Sequence, residues 1–172
     1  MIFDKHKIAR YIITKHKEKQ GCDISPLKLQ KTLYMIYAMW SGNAAVINED
    51  IDDGNIELSN KLPGELFGVN FEAWKYGPVD IDVYREFKDG KYIVNLKNIE
   101  DAFIDDAGDL ECKEDIKKFA NSIMDQCFNI NDFSLVTVTQ DGAWKKAYNK
   151  NDKIISKEDI RTEYYNNIKN KQ

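Results

Sequence analysis

Cysteine and histidine are scarce in this 172-residue chain, and their scarcity argues against several kinds of site. The three cysteines, Cys22, Cys112 and Cys127, are widely spaced and form no Cys-x-x-Cys or Cys/His pattern at zinc-ligand spacing. The only histidines, His6 and His16, lie too far apart to form a ligand pair on one helix face. No nucleophile sits beside a base in a recognisable motif. We therefore predict a protein that is not an enzyme, with no catalytic residues, no metal site and no cofactor.

Long apolar runs are also missing, since none approaches the roughly 18 residues of a membrane-spanning helix. The chain passes at once into the charged segment around Asp4 and Lys5, without the apolar stretch of a signal peptide. Hydrophobic residues nevertheless make up 42% of the chain and aromatic residues 12%, which is enough to build a core. We expect one cytoplasmic domain over residues 1–172 that makes no contact with a membrane.

Arginine is the third scarcity, with 3 arginines against 22 lysines, so guanidinium groups that grip phosphate bidentately are nearly absent. The net charge of −4 is unevenly distributed, because residues 46–115 hold 19 acidic and 7 basic side chains. An acidic middle repels a phosphate backbone. Direct binding of nucleic acid is therefore disfavoured.

The N-terminal half predicts two helices. Asp4 can cap the first, which should end near Gly21. Ser25 and Pro26 begin the second, which is apolar on nearly all sides as far as Trp40 and should be central and buried. The acidic stretch that follows, residues 43–64, lacks a steady period and predicts an exposed loop.

The rest of the chain mixes helical and strand-like patterns. An apolar run over residues 66–74 leads into a turn at Gly77 and Pro78, then a short helix over 80–88 and a strand over 91–96. Residues 98–111 are acidic and weakly periodic. Amphipathic spacing predicts a helix around residues 116–127, Asp132 can cap an element over 133–139 whose type stays open, and helical segments follow at 144–148 and after Ser156. The predicted fold class is α+β and mainly α-helical, with six or seven helices and a small β element.

Three stretches of the chain together resemble a known family. They are Pro26 to Tyr34 (PLKLQKTLY), Phe71 to Val79 (FEAWKYGPV) followed by Val83 and Tyr84, and Thr139 to Trp144 (TQDGAW). Their order and spacing resemble the Panacea family of SocA-like antitoxins and phage-associated proteins. The third stretch departs from the family pattern, which often has histidine where this chain has Gln140 and proline where it has Ala143.

The resemblance implies a mainly helical α+β fold, residence on phages or other mobile elements, and antitoxin function. The implied partner is a cognate protein toxin, neutralised by direct binding. In one branch of the family the antitoxin is an adaptor that hands its toxin to a host ATP-dependent protease. The resemblance does not identify the toxin.

The candidate partner-binding residues come from the first two stretches: Gln30, Lys31, Trp74, Lys75, Tyr76, Gly77 and Pro78. Gln30 and Lys31 can equally form a solvated edge of their helix. Trp74 can equally belong to the core, and its size favours burial. If the turn is a docking surface, Tyr76 must be partly exposed, since Trp and Tyr dominate binding hot spots.

A second hypothesis assigns function to the acidic stretches, residues 48–57 and 100–115. These are ordinarily solvated loops. They can also complement a basic partner, or imitate a phosphate backbone. In that case the protein would be a phage or mobile-element inhibitor of a host nucleic-acid defence system.

Overall fold

The computed structural model describes residues 3–57, 61–94 and 113–171. Two helices begin the fold, α1 (Lys5–Gln20) and α2 (Pro26–Asp52). A hairpin of β1 (Phe71–Trp74) and β2 (Gly77–Asp80) runs directly into α3 (Ile81–Lys88). The C-terminal part contains α4 (Lys113–Asn129), α5 (Asp132–Thr139), α6 (Gly142–Tyr148) and α7 (Lys157–Lys169). The predicted fold class, mainly α-helical with a small β element, is confirmed.

Helix α2 is the centre of the fold, as its all-round apolar pattern predicts. Its residues Leu29, Leu33 and Tyr34 are 0% exposed, and α1, α4, α5 and α7 all pack against it. Its start follows from local chemistry, because the Ser25 hydroxyl accepts a hydrogen bond from the Lys28 amide and Pro26 occupies the first turn. Asp4 caps α1 in the same way, and Gly21 ends it.

The predicted loop over residues 43–64 is wrong in its first part, because α2 continues to Asp52. Packing against α7 explains the extension. A Cβ on Gly42 would lie 2.7 Å from the Cβ of Tyr164, so the missing side chain lets the two helices approach closely. Beyond it Ala44 and Val46 are buried. Tertiary burial thus overrides the weak local pattern.

The hairpin is antiparallel, with Phe71 opposite Asp80 and Trp74 opposite Gly77. The edge of β1 that faces away from β2 is paired with the segment before α7. There the Ala73 amide donates to the Lys153 carbonyl at 2.7 Å, and the Ile155 amide donates to the Phe71 carbonyl at 2.9 Å. Strand β1 is therefore paired on both sides.

Two further predictions need correction. Residues 91–94 are not a strand; Ile93 is 77% exposed, and no described strand pairs with the segment. Residues 95 and 96 of that prediction, and the acidic stretch 98–111, lie outside the described residues. The element after Asp132 is helical, and Asn131 rather than Asp132 caps it. The Thr139 hydroxyl donates to the Leu135 carbonyl at 2.8 Å, which accommodates this threonine in a helix.

The predicted helices around 116–127, 144–148 and after Ser156 are confirmed as α4, α6 and α7. Cys127 is buried on α4, as its place in the apolar pattern predicts, and Cys22 is exposed. Among the described residues, no helix has the length and apolar character needed to cross a membrane.

Candidate partner-binding site

The fold brings the three sequence stretches into direct contact. The first meets the second where α2 lies beside β2: the Gln30 Oε1 accepts from the Asp80 amide at 2.8 Å, and the Lys31 Nζ donates to the Pro78 carbonyl at 2.8 Å. Pro78 and Asp80 are the β2 positions whose backbone groups point away from β1, given the register of the hairpin. The Gln30 and Lys31 side chains thus provide hydrogen-bond partners for backbone groups on the outer edge of β2.

Gln30 and Lys31 are each only 2% exposed, so the alternative of a solvated helix edge is wrong. Buried polar groups are retained where they meet partners, and the β2 edge supplies those partners. The Gln30 Nε2 has no hydrogen-bond partner among the described residues. A role for these residues in partner binding stays a prediction. Because both side chains are buried, they would support binding indirectly, by holding the hairpin in place.

The second and third stretches meet at the tip of the hairpin. The Trp144 indole Nε1 donates to the Trp74 carbonyl at 3.1 Å, and the Gln140 Nε2 donates to the Lys75 carbonyl at 3.0 Å. Gln140 is one of the two departures from the family pattern, and here it connects the end of α5 to the turn. At the other departure the Ala143 amide donates to the Glu163 carboxylate, a bond that a proline could not make.

The first and third stretches meet at a half-buried carboxylate. Asp141 caps α6 through the Trp144 amide and accepts from the Tyr34 hydroxyl at 2.6 Å and the Tyr164 hydroxyl at 3.1 Å. Burial raises the pKa of the Asp141 carboxyl above its usual range, although the Tyr34 hydrogen bond opposes the shift. Helices α2, α6 and α7 are therefore tied together beside the hairpin.

Gly77 allows this close packing. It adopts φ +93°, and a Cβ there would lie 2.9 Å from both the Lys31 Cε and the Thr139 Oγ1. Glycine meets the conformational and the steric requirement together. The glycine of the Gly-Pro pair is thus explained by the start of β2, which fits closely against α2 and α5.

Asp80 is a structural residue of the site that the sequence reasoning did not single out. It is 0% exposed, and its carboxylate accepts from the Lys5 Nζ at 3.0 Å, the Asn70 amide at 3.2 Å and the Val83 amide at 3.2 Å. The signal available was its place at the start of the helix predicted over 80–88, where aspartate is a preferred cap. Asp80 fixes the base of the hairpin to α1 and α3.

The tip of the hairpin faces outward. Tyr76 is 58% exposed, as the docking interpretation requires, and the Lys75 Nζ lies 5.4 Å from the centre of its ring. Trp74 is only half-buried, so the expectation that its size would bury it is wrong. Its indole Nε1 donates to the Glu72 carboxylate at 2.8 Å, and its ring meets Tyr84 edge to face at 5.2 Å.

Sequence reasoning missed an exposed face of α5, the helix whose C-terminal end contacts the hairpin tip through Gln140. Phe133 is 86% exposed, and it shares one helix face with Thr137 and Gln140 at spacings of four and three residues. We call Trp74, Lys75, Tyr76, Gln140 and Phe133 the hairpin surface. Its members combine a fixed backbone with exposed aromatic side chains.

The buried Lys31 amine makes stability depend on pH. Burial lowers the pKa of Lys31 to about 7. Between pH 7 and 9 the unfolded chain holds a proton on this amine that the folded protein has lost, so stability rises with pH. From that pKa we expect the free energy of unfolding to increase by about 2 kcal/mol over this interval. Urea titrations at several pH values measure it.

Lys31→Met is the matched control, since it keeps most of the side-chain volume without the titrating group. Burial also raises the pKa of the Cys127 thiol to about 11, which lowers stability above pH 8 or so in both proteins. The difference between the two pH curves therefore isolates Lys31. Parallel curves would mean that the amine titrates normally.

Among residues 3–57, 61–94 and 113–171, no group of three His, Cys, Asp or Glu side chains could hold a metal ion. Comparison with protein families gives one informative result: a family model described as "Antitoxin SocA-like, Panacea domain" matches residues 58–172, more than half of the chain. The second and third stretches lie inside the match, and the first lies before it. The curated proteins and the solved structures gave no match.

Proposed function

Because this chain belongs to the SocA-like antitoxin family with the Panacea domain, we propose that it neutralises a cognate protein toxin by binding it directly through the hairpin surface. The toxin is expected to be encoded beside this protein. The family membership supports an antitoxin-like role with a protein partner. Direct neutralisation and the hairpin surface as the binding site are our proposals.

The observation that carries the proposal is an exposed aromatic turn on a fixed support. Tyr76 is 58% exposed, while the Pro78 and Trp74 carbonyls on either side of it are held by Lys31 and Trp144. An aromatic side chain whose backbone is already ordered loses little conformational entropy on binding. Such residues are typical binding hot spots.

The exposed face of α5 supports the same location. Phe133 is 86% exposed, although it lies in a short helix that is otherwise anchored to the core by Leu135 and Thr139. The Gln140 contact with the Lys75 carbonyl places the end of this helix at the hairpin tip. A partner that covers Tyr76 can therefore also bury apolar area on α5.

The alternative of phosphate-backbone mimicry has less support. In the first acidic stretch Glu49 and Asp50 pair with Lys169 at 2.8 and 3.6 Å, and Asp52 pairs with Lys61 at 2.7 Å. Carboxylates that are already paired offer less negative charge to a basic partner. Most of the second stretch, residues 100–112, lies outside the described residues. We therefore favour toxin binding at the hairpin surface.

Co-expression tests the proposal. The product of the neighbouring reading frame should arrest growth alone, lose its toxicity when this protein is present, and co-elute with it from a sizing column. A neighbouring product that is harmless, or that remains toxic without forming a complex, would contradict direct neutralisation. The adaptor version predicts in addition that the toxin's half-life shortens only in cells that contain the ATP-dependent protease.

A further inference from the structure

Lys153 occupies an unusual backbone conformation beside the hairpin. Its φ of +53° is the one positive value for a non-glycine residue among the described parts of the chain. Glycine and asparagine adopt this left-handed region more readily than lysine does. Such outliers persist where the surrounding structure requires them, and they are concentrated at functional sites.

The backbone of Lys153 has a clear structural role, but its side chain takes no part in that role. The Lys153 carbonyl accepts from the Ala73 amide at 2.7 Å, so the turn brings residues 153–155 alongside β1. Asparagine or glycine would support the same bond. The Lys153 side chain is exposed, its Nζ lies 4.9 Å from the centre of the Tyr148 ring, and it pairs with no carboxylate among the described residues.

Lys75 repeats this arrangement at the hairpin tip. It is exposed, its Nζ lies 5.4 Å from the Tyr76 ring, and no described carboxylate pairs with it either. The nearest acidic residues along the chain keep their negative charge but accept hydrogen bonds from other groups. Glu72 accepts from the Trp74 indole at 2.8 Å, and Asp152 accepts from the Ile154 amide at 3.3 Å.

Both lysines are close to Trp74 along the backbone: Lys75 follows it in the chain, and the Lys153 carbonyl accepts from the amide of Ala73, the residue before it. Lys145 and Lys150, in and just after α6, are also exposed and lack a described ion pair. The segments around the hairpin therefore carry lysines without a described ion pair, two of them next to aromatic rings, in a protein whose net charge is −4.

We propose that Lys75 and Lys153 bind an acidic segment of the toxin, with Asp or Glu side chains that dock beside Trp74 and Tyr76. The inference rests on the proposed antitoxin function and specifies the chemistry of its partner. Lysine binds carboxylate and phosphate alike as a point charge, so the type of cation does not distinguish the two ligands. A protein segment fits better than nucleic acid because the acidic remainder of the chain would repel a phosphate backbone.

The test compares Lys153→Asn, Lys75→Gln and the double variant with the wild-type protein, using the purified product of the neighbouring reading frame. Lys153→Asn should melt at the same temperature or higher, because asparagine suits the backbone, and yet bind roughly tenfold more weakly at low salt. The double variant should bind more weakly still. The deficit should shrink in about 0.5 M salt because charge interactions are screened.

Lys118→Gln on α4 is the matched control, since this exposed lysine lies on another element, and its affinity should equal that of the wild type. Variants that bind as tightly as the wild type, or a deficit that is the same at every salt concentration, would overturn the acidic-segment inference alone. A wild-type protein that does not bind the product would overturn the proposed function and this inference together. Tight binding of a duplex oligonucleotide that Lys153→Asn abolishes would replace the acidic segment by nucleic acid.

Discussion

Trp40→Ala should lower the free energy of unfolding by about 3–5 kcal/mol, a large share of the 5–15 kcal/mol typical of a domain. Trp40 is 6% exposed, meets Phe119 edge to face at 5.6 Å, and donates its indole hydrogen to the Pro63 carbonyl at 2.8 Å. The substitution removes a large buried ring and leaves that carbonyl without its donor. Chemical denaturation with an unchanged m-value measures the loss.

Trp74→Ala provides the comparison. Because Trp74 is only half-buried, we expect it to cost roughly 1–2 kcal/mol. A loss below about 1 kcal/mol for Trp40→Ala, or an equal loss for the two variants, would mean that the middle of α2 is not the centre of the core.

Tyr76→Ala should abolish neutralisation of the toxin while changing the free energy of unfolding by less than about 0.5 kcal/mol. The side chain is 58% exposed, and the contacts that fix the hairpin are made by other residues. Stability and function should therefore separate at this position. Growth rescue under co-expression and thermal melting of the purified variant are the two measurements.

Ile93→Ala is a suitable control, because Ile93 is 77% exposed and follows α3 rather than lying at the hairpin tip. It should neither unfold the protein nor impair rescue. A stable Tyr76→Ala protein that still neutralises the toxin would remove the hairpin tip as the docking point. A strongly destabilised one would mean that Tyr76 supports the fold.

The sequence was most informative where structure depends on neighbours in the chain. Asp4, Ser25 and Ser156 cap helices α1, α2 and α7 through their own first turns, so local chemistry predicts those starts. A turn in this stretch was predictable for the same reason, but the structure places it at Lys75 and Tyr76, and Gly77 and Pro78 begin β2. The central position of α2 followed from its apolar pattern.

Features that depend on distant contacts could not be predicted in this way. The extension of α2 to Asp52 needs α7 beside Gly42, and the burial of Gln30 and Lys31 needs the edge of β2. The exposure of Phe133 could not be predicted from the sequence, because α5 carries apolar residues on both its buried and its exposed faces. Within the candidate site, the hairpin tip was predicted from the sequence. The contacts through which Gln140, Trp144 and Asp80 hold the hairpin in place are visible only in the structure.

Hydrogen exchange on the purified complex is the most direct test of the central claim, because it maps where the toxin binds without any substitution. We predict slower exchange in the complex for peptides that contain Lys75 and Tyr76, which are exposed in the free protein, and for the last turn of α5 up to Gln140. Unchanged exchange at the hairpin, with protection confined to the acidic end of α2 around Glu49 to Asp52, would contradict the account.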